Sequence, residues 1–178
     1  MDSYAGLAPV TFGIQAFITL LVILDPPGVT PIFLALVAGK SQKQRIRLAW
    51  QAAVVSLVLI VSFAIAGQAL LNALHVSFSA LQGAGGLLLL LIALELLTGK
   101  GTGGADKGSS ENIAMVPLGT PLLAGPGAIV ATMLFAQSAH TSEHKIALAV
   151  VIILVHVIIA VTLMSSTAIV RVIREAGV

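Results

Sequence analysis

The chain has no cysteine, a single tryptophan and a single tyrosine, and only 9% of its 178 residues are charged. The absence of cysteine excludes disulfides and thiolate-bound metal, and leaves the compartment open. The scarcity of charge excludes an ordinary soluble domain, whose surface needs far more of it. Basic residues at the extreme N-terminus are also lacking: Met1 to Val10 contains Asp2 and no Lys or Arg. A cleaved signal peptide opens with positive charge, so the first apolar segment is expected to stay in the mature protein.

What is present is apolar. Hydrophobic residues make up 58% of the chain and the mean hydropathy is +1.08. A membrane-spanning helix needs about 20 such residues in a row. The sequence offers five stretches, at roughly 12–37, 48–70, 77–99, 113–138 and 145–170. Short connections leave no room for a soluble domain, so residues 1–178 read as one all-α membrane domain whose core forms between helices in a lipid bilayer.

The basic residues set the orientation. Lys40, Lys43, Arg45 and Arg47 follow the first stretch, Lys100 and Lys107 the third, and Arg171 and Arg174 the fifth. Only Lys145 falls on the other side, which by the positive-inside rule places the N-terminus outside. This distribution accounts for the net charge of +2 without a nucleic-acid partner. Tyr4 and Trp50 lie near predicted span ends, where interfacial aromatics sit.

Two spans are interrupted. Asp25-Pro26-Pro27-Gly28 breaks the first and Gly125-Pro126-Gly127 breaks the fourth. Proline inside a helix removes a backbone hydrogen bond, and lipid cannot replace it. Broken helices at membrane depth line pathways. Laying Pro27-Gly28 on Pro126-Gly127 gives an offset of 99 residues, which also carries the second span onto nearly all of the fifth. Three spans separate the two units, so the second enters from the opposite side: an inverted 3+3 repeat with broken helices one and four. Its parts are a first repeat over 1–99, a cytoplasmic linker over 100–112 and a second repeat over 113–178. The offset predicts a sixth span at about 176–198, past Val178. A shortened sequence is the favoured expectation, with lipid or another copy of the chain, as in a homo-oligomer, covering the open face.

The segments Leu24-Asp25-Pro26-Pro27-Gly28 with Thr30-Pro31-Ile32-Phe33-Leu34, and Pro117-Leu118 with Thr120-Pro121-Leu122-Leu123-Ala124-Gly125-Pro126-Gly127-Ala128-Ile129, resemble the two signature segments of the MarC family, which includes SnatA-type small neutral amino acid transporters. The likeness extends through Gly83 to Gly86 and Ala93-Leu94-Glu95. The resemblance implies a six-span, multi-pass protein of a bacterial or archaeal inner membrane, moving alanine, glycine or serine.

The residues themselves suggest a compatible mechanism. Pro26 suits the first position of a half-helix capped by Asp25, and Pro126 does the same behind Gly125. Two half-helix amide ends near the bilayer centre attract a carboxylate. Asp25 supplies the opposite charge for an ammonium group, and Gly28, Gly125 and Gly127 allow close backbone approach. The expected substrate-binding set is therefore Asp25, Pro26, Gly28, Thr30, Gly125, Pro126 and Gly127, and the expected ligand a small zwitterion. The bland alternative is that Asp25 only caps its helix and the glycines only permit packing. Thr30, Thr120 and Thr132 either hold a substrate or satisfy freed carbonyls. Pro31, Pro117 and Pro121 widen the distorted regions.

His156, near the middle of the fifth span, either carries protons together with Asp25 or makes a buried interhelical hydrogen bond. Glu95 reaches the interface or pairs locally near Lys100. His140 and His144 have helical spacing around Glu143, but no third ligand, and read as a solvated external loop rather than a metal site. In the glycine-rich stretch 99–110, Ser109 stands where a phosphate loop needs lysine, so no nucleotide cofactor is implied. Gln51, Ser56, Ser62, Gln68, Asn72 and Gln82 offer hydrogen bonds between helices, as Ser79 and Gly83 offer close packing. No arrangement makes a hydrolase. The expected function is secondary transport by alternating access; the competing readings are a non-transporting membrane scaffold or assembly subunit, and a metabolite exporter or channel.

Overall fold

A computed structural model describes residues 7–98 and 123–176, and every regular element among them is a helix. In chain order these are α1 (Pro9–Leu24), α2 (Pro26–Leu36), α3 (Gln42–Ala73), α4 (Phe78–Thr98), α5 (Pro126–Ser138) and α6 (Ser142–Ala176). Among the described residues, three stretches are long and apolar enough to cross a membrane: Pro9–Leu36, Gln42–Ala73 and Ser142–Ser166. Residues 99–122, which hold the expected linker and the first half of the fourth span, lie outside the described residues. So do Tyr4, Thr120, Pro117 and Pro121.

The first predicted span is two helices, as its proline break requires. Its first part, α1, is apolar on both sides. Phe12, Ala16, Leu20 and Leu24 form the buried stripe, while Val10, Ile14, Ile18 and Val22 form an equally apolar exposed one. Burial in water would demand a polar outer face; lipid does not. A tight turn at Gly39, where φ is +78°, returns the chain into α3. Ser41 opens α3 with a reciprocal capping box, its side chain accepting from the Gln44 amide while the Gln44 side chain accepts from the Ser41 amide at 2.9 Å. Lys43, Arg45 and Arg47 then sit in the first turns, where their charge opposes the helix dipole.

The register of the bundle follows from named contacts. Gly13 of α1 faces Ala147 of α6, where a Cβ on the glycine would lie 3.6 Å from the alanine Cβ, so these helices approach closely. They run parallel, because Leu7 meets His144 before that point. Helix α5 runs parallel to α3: Gly67 packs against Met133, and farther along both helices Gln68 meets Gln137. Phe12 and Phe135 meet edge to face with ring centroids 5.6 Å apart, joining α1 to α5. One continuous core gathers Phe12, Leu24, Val29 and Phe33 from the first span with Leu123, Ala128 and Phe135 from the fourth. Leu148, Val155, Ile159 and Leu163 of α6 complete it.

Phe12 is fully buried at the α1–α5 crossing. Phe12→Ala should therefore cost about 3–5 kcal/mol of stability. Unfolding of the detergent-solubilised protein would show it as a lowered midpoint; an unchanged midpoint would mean that the crossing does not hold the bundle.

Candidate functional site

The first break is built around one strained residue. Asp25 ends α1 and caps α2 with φ 39° and ψ 66°, the left-handed region that Asp and Asn tolerate better than most side chains. Its own amide still donates to the Leu21 carbonyl at 3.1 Å, closing α1. Its carboxylate accepts from the Gly28 amide, also at 3.1 Å, opening α2. Pro26 occupies the first helical position, where a missing N–H costs nothing, and is buried. Gly28 is present because of the carboxylate: a Cβ there would lie 1.9 Å from Asp25 Oδ2. Thr30 is buried, and its hydroxyl donates to the Pro26 carbonyl at 2.8 Å. Pro31 lies inside α2, which continues as a helix through it to Leu36.

The second break has the same outline and different chemistry. Gly125 is the N-cap of α5, with extended backbone and no side-chain hydrogen bond, and Pro126 follows at the first helical position. Gly127 and Ala128 are buried in the first turn, while Pro126 is exposed. The amide end of α2 is engaged by a carboxylate of its own chain, whereas the N-cap of α5 makes no side-chain hydrogen bond among the described residues. An amide end without a side-chain cap is where a helix favours an anion.

The two breaks share the apolar core, through Leu24 and Val29 on one side and Leu123, Ala124 and Ala128 on the other. Their polar groups are less closely gathered: Asp25 and Gly28 are exposed, and Pro26, Thr30 and Gly127 are buried. Two cavities lie elsewhere. An apolar groove of about 570 Å³ runs between α1 and α6, lined by residues such as Val10, Phe17 and Ile146. A depression of about 260 Å³ lies between α3 and α5, beside Gln68 and Gln137. Neither is lined by a residue of the breaks.

His156 is buried, and both ring nitrogens are engaged. The Ile152 carbonyl, 2.8 Å away, can only accept, so Nδ1 carries the proton. Nε2 then accepts from the Ser56 hydroxyl at 3.1 Å, tying α6 to α3. This is the interhelical hydrogen bond of the two readings given above, and it leaves no ring nitrogen facing Asp25.

His144 departs from its expected place in a solvated loop. It belongs to the first turn of α6 and is only 3% exposed. The ring donates from Nε2 to the Leu7 carbonyl at 3.0 Å, pairs through Nδ1 with the Thr141 hydroxyl at 3.0 Å, and packs on Phe12. The i, i+4 spacing with His140 carried no sign of this, because the partner lies at the far end of the chain. His140 is exposed, and no metal-holding cluster exists among the described residues. Gln68 joins α3 to α5 through Gln137, the interhelical role expected of a polar span residue, whereas Asn72 bonds Gln68 within α3 at 2.8 Å and Ser62 bonds the Val58 carbonyl of its own helix. Trp50 is exposed two turns inside α3. The Glu95 side chain and Lys100 lie outside what the structure describes.

Residues 10–178 match the family model described as MarC family integral membrane protein. The chain belongs to the MarC family. Among its relatives, a UPF0056 membrane protein of Methanocaldococcus jannaschii is 33% identical over 93% of this chain and 83% of its own length. Similar proteins of Archaeoglobus fulgidus and Aquifex aeolicus are 31% and 32% identical, covering 94% and 93% of this chain and 81% and 80% of theirs. No solved structure matches. Family membership and the long apolar helices together make this a multi-pass membrane protein of MarC type.

The cap geometry predicts a specific pattern of stability. Gly28→Ala should displace the Asp25 carboxylate and lose the cap, a cost of about 1 kcal/mol or more. Asp25→Asn retains both a capping oxygen and tolerance for positive φ, and should stay within about 0.5 kcal/mol of the parent. Thermal unfolding of both variants checks this, and equal loss in the two would contradict it.

Proposed function

We propose that this MarC protein is a secondary transporter of the inner membrane that moves small neutral amino acids, such as alanine, glycine and serine, by alternating access. The observation that carries the reading is the pair of proline-started half-helices, α2 behind Asp25 and α5 behind Gly125, flanking one buried core. A carboxylate suits the uncapped amide end of α5, and an ammonium group suits the exposed Asp25. A zwitterion supplies both.

The packing supports an inverted repeat, with α2 matched to α5 and α3 to α6. Under that pairing the packing of α2 on α6 is the counterpart of α5 on α3, and both occur. The hydrogen bond between Ser56 and His156 joins positions 100 apart, one residue from the sequence register, and Pro26 and Pro126 are separated by the same interval. A contact between repeat-equivalent residues belongs on the pseudo-two-fold axis, about which one repeat would rock against the other. In this reading the described helices belong to five spans of a six-span plan, the N-terminus is outside, and Lys40 to Arg47 face the cytoplasm. Proton coupling through Asp25 and His156 is part of the same proposal. It requires the Ser56 hydroxyl to turn when Nε2 takes a proton.

A second reading is favoured by one observation: Asp25 and Thr30 both spend their polar atoms on their own helix. On that account the breaks only shape packing, and the protein is a membrane scaffold.

Flux of alanine and glycine into vesicles containing the purified protein separates the two. Because Asp25→Asn retains the cap, it tests the charge alone: transport should fall about tenfold or more with the fold intact. Normal flux in that variant would remove Asp25 from the mechanism. No flux and no thermal stabilisation of the wild type by small zwitterions would favour the scaffold.

A further inference from the structure

Two side-chain oxygens are enclosed among the described helices without a hydrogen-bond partner, Gln15 Oε1 on α1 and Thr132 Oγ1 on α5. Thr132 is fully buried. A helical hydroxyl in lipid ordinarily bonds a carbonyl three or four residues back, as Thr30, Ser62, Ser138 and Ser166 do. Thr132 does not. Leaving such a group unpaired destabilises the protein, so the pair calls for a ligand.

The two oxygens belong to one level of the bundle. Phe12 meets Phe135. Helices α1 and α5 run in opposite directions, since α1 is parallel to α6 and α5 turns back into α6 through only residues 139–141. Three residues onward from Phe12 is Gln15, and three residues back from Phe135 is Thr132. Thr132 also lies on the same stripe of α5 as buried Ala128, whose amide belongs to the uncapped first turn. One turn, about 5–6 Å of axial rise, separates that amide end from the hydroxyl. A molecule with one carbon between its carboxylate and its ammonium fits such an interval.

We propose that Thr132 Oγ1 and Gln15 Oε1 receive the ammonium group of the occluded cargo while its carboxylate rests on the first-turn amides of α5. This rests on the transporter reading and extends it. Asp25, exposed at the first break, is the contact that the ammonium leaves as the site closes. An ammonium brings three donors and no acceptor, so it suits two oxygens that both accept. The zwitterion carries no net charge into the core, which limits the cost of burial.

Binding of alanine to the purified full chain, measured by calorimetry beside thermal unfolding, tests this. Thr132→Val keeps the shape and removes the hydroxyl. The ligand-free protein should melt at the same temperature or higher, since an unpaired buried group is gone, while the dissociation constant for alanine rises about tenfold. Thr132→Ser should restore affinity, Gln15→Met should weaken it, and Ser138→Ala, whose hydroxyl serves only its own helix, should leave it unchanged. Wild-type affinity in Thr132→Val overturns the proposal. If that variant also melts lower, the hydroxyl holds a structural water instead. Unchanged alanine binding in Thr132→Val alongside lost flux in Asp25→Asn would sink this assignment and spare the transporter reading. A wild type that binds neither alanine, glycine nor serine would sink both.

Discussion

Hydrocarbon offers no hydrogen-bond partner, and the rest of the structure depends on that constraint. Within it, every interruption of a helix must be repaired by the protein itself. At the first break a single residue does most of the repair: the Asp25 amide closes α1, its carboxylate opens α2, and its left-handed backbone makes the two possible together. Gly28 and Thr30 are consequences of that choice, one leaving room for the carboxylate and the other engaging the Pro26 carbonyl. The second break is repaired more sparingly, with glycine where the first has aspartate. Two segments of similar outline thus differ in what they leave available to a ligand.

The same constraint governs the cross-links. Ser56 and His156 satisfy each other between α3 and α6, and His144 satisfies the Leu7 carbonyl at the end of α1. In lipid, apolar side chains gain little from one another over the solvent, so close approach and buried hydrogen bonds must define the register. Gly13 against Ala147 and Gly67 against Met133 supply the first, and the two histidines supply the second.

The local chemistry of the breaks was readable before any coordinates. A proline after a capping residue has one sensible place in a helix, and both Pro26 and Pro126 occupy it. What sequence could not show was facing. In α1 the buried stripe through Phe12 and the lipid stripe through Ile14 are equally apolar, so no periodicity separates them. Partnerships over long separations were hidden for the same reason: nothing near His144 points to Leu7, and nothing near His156 points to Ser56. The empty valence of Thr132 was invisible altogether, because a helical threonine normally satisfies itself and only coordinates reveal that this one does not.

The parallel packing of α1 on α6 has a consequence for biogenesis. Gly13 and the Leu7 carbonyl are made early in synthesis, while their partners Ala147 and His144 emerge more than 130 residues later. Helix α1 must enter the membrane and wait there, its Phe12 to Leu24 stripe facing lipid or a temporary escort, until α6 arrives. Being apolar on both faces, it can wait without penalty. The uniform greasiness that conceals its packing face from a reader of the sequence is what allows the newly made helix to remain stable while unpartnered.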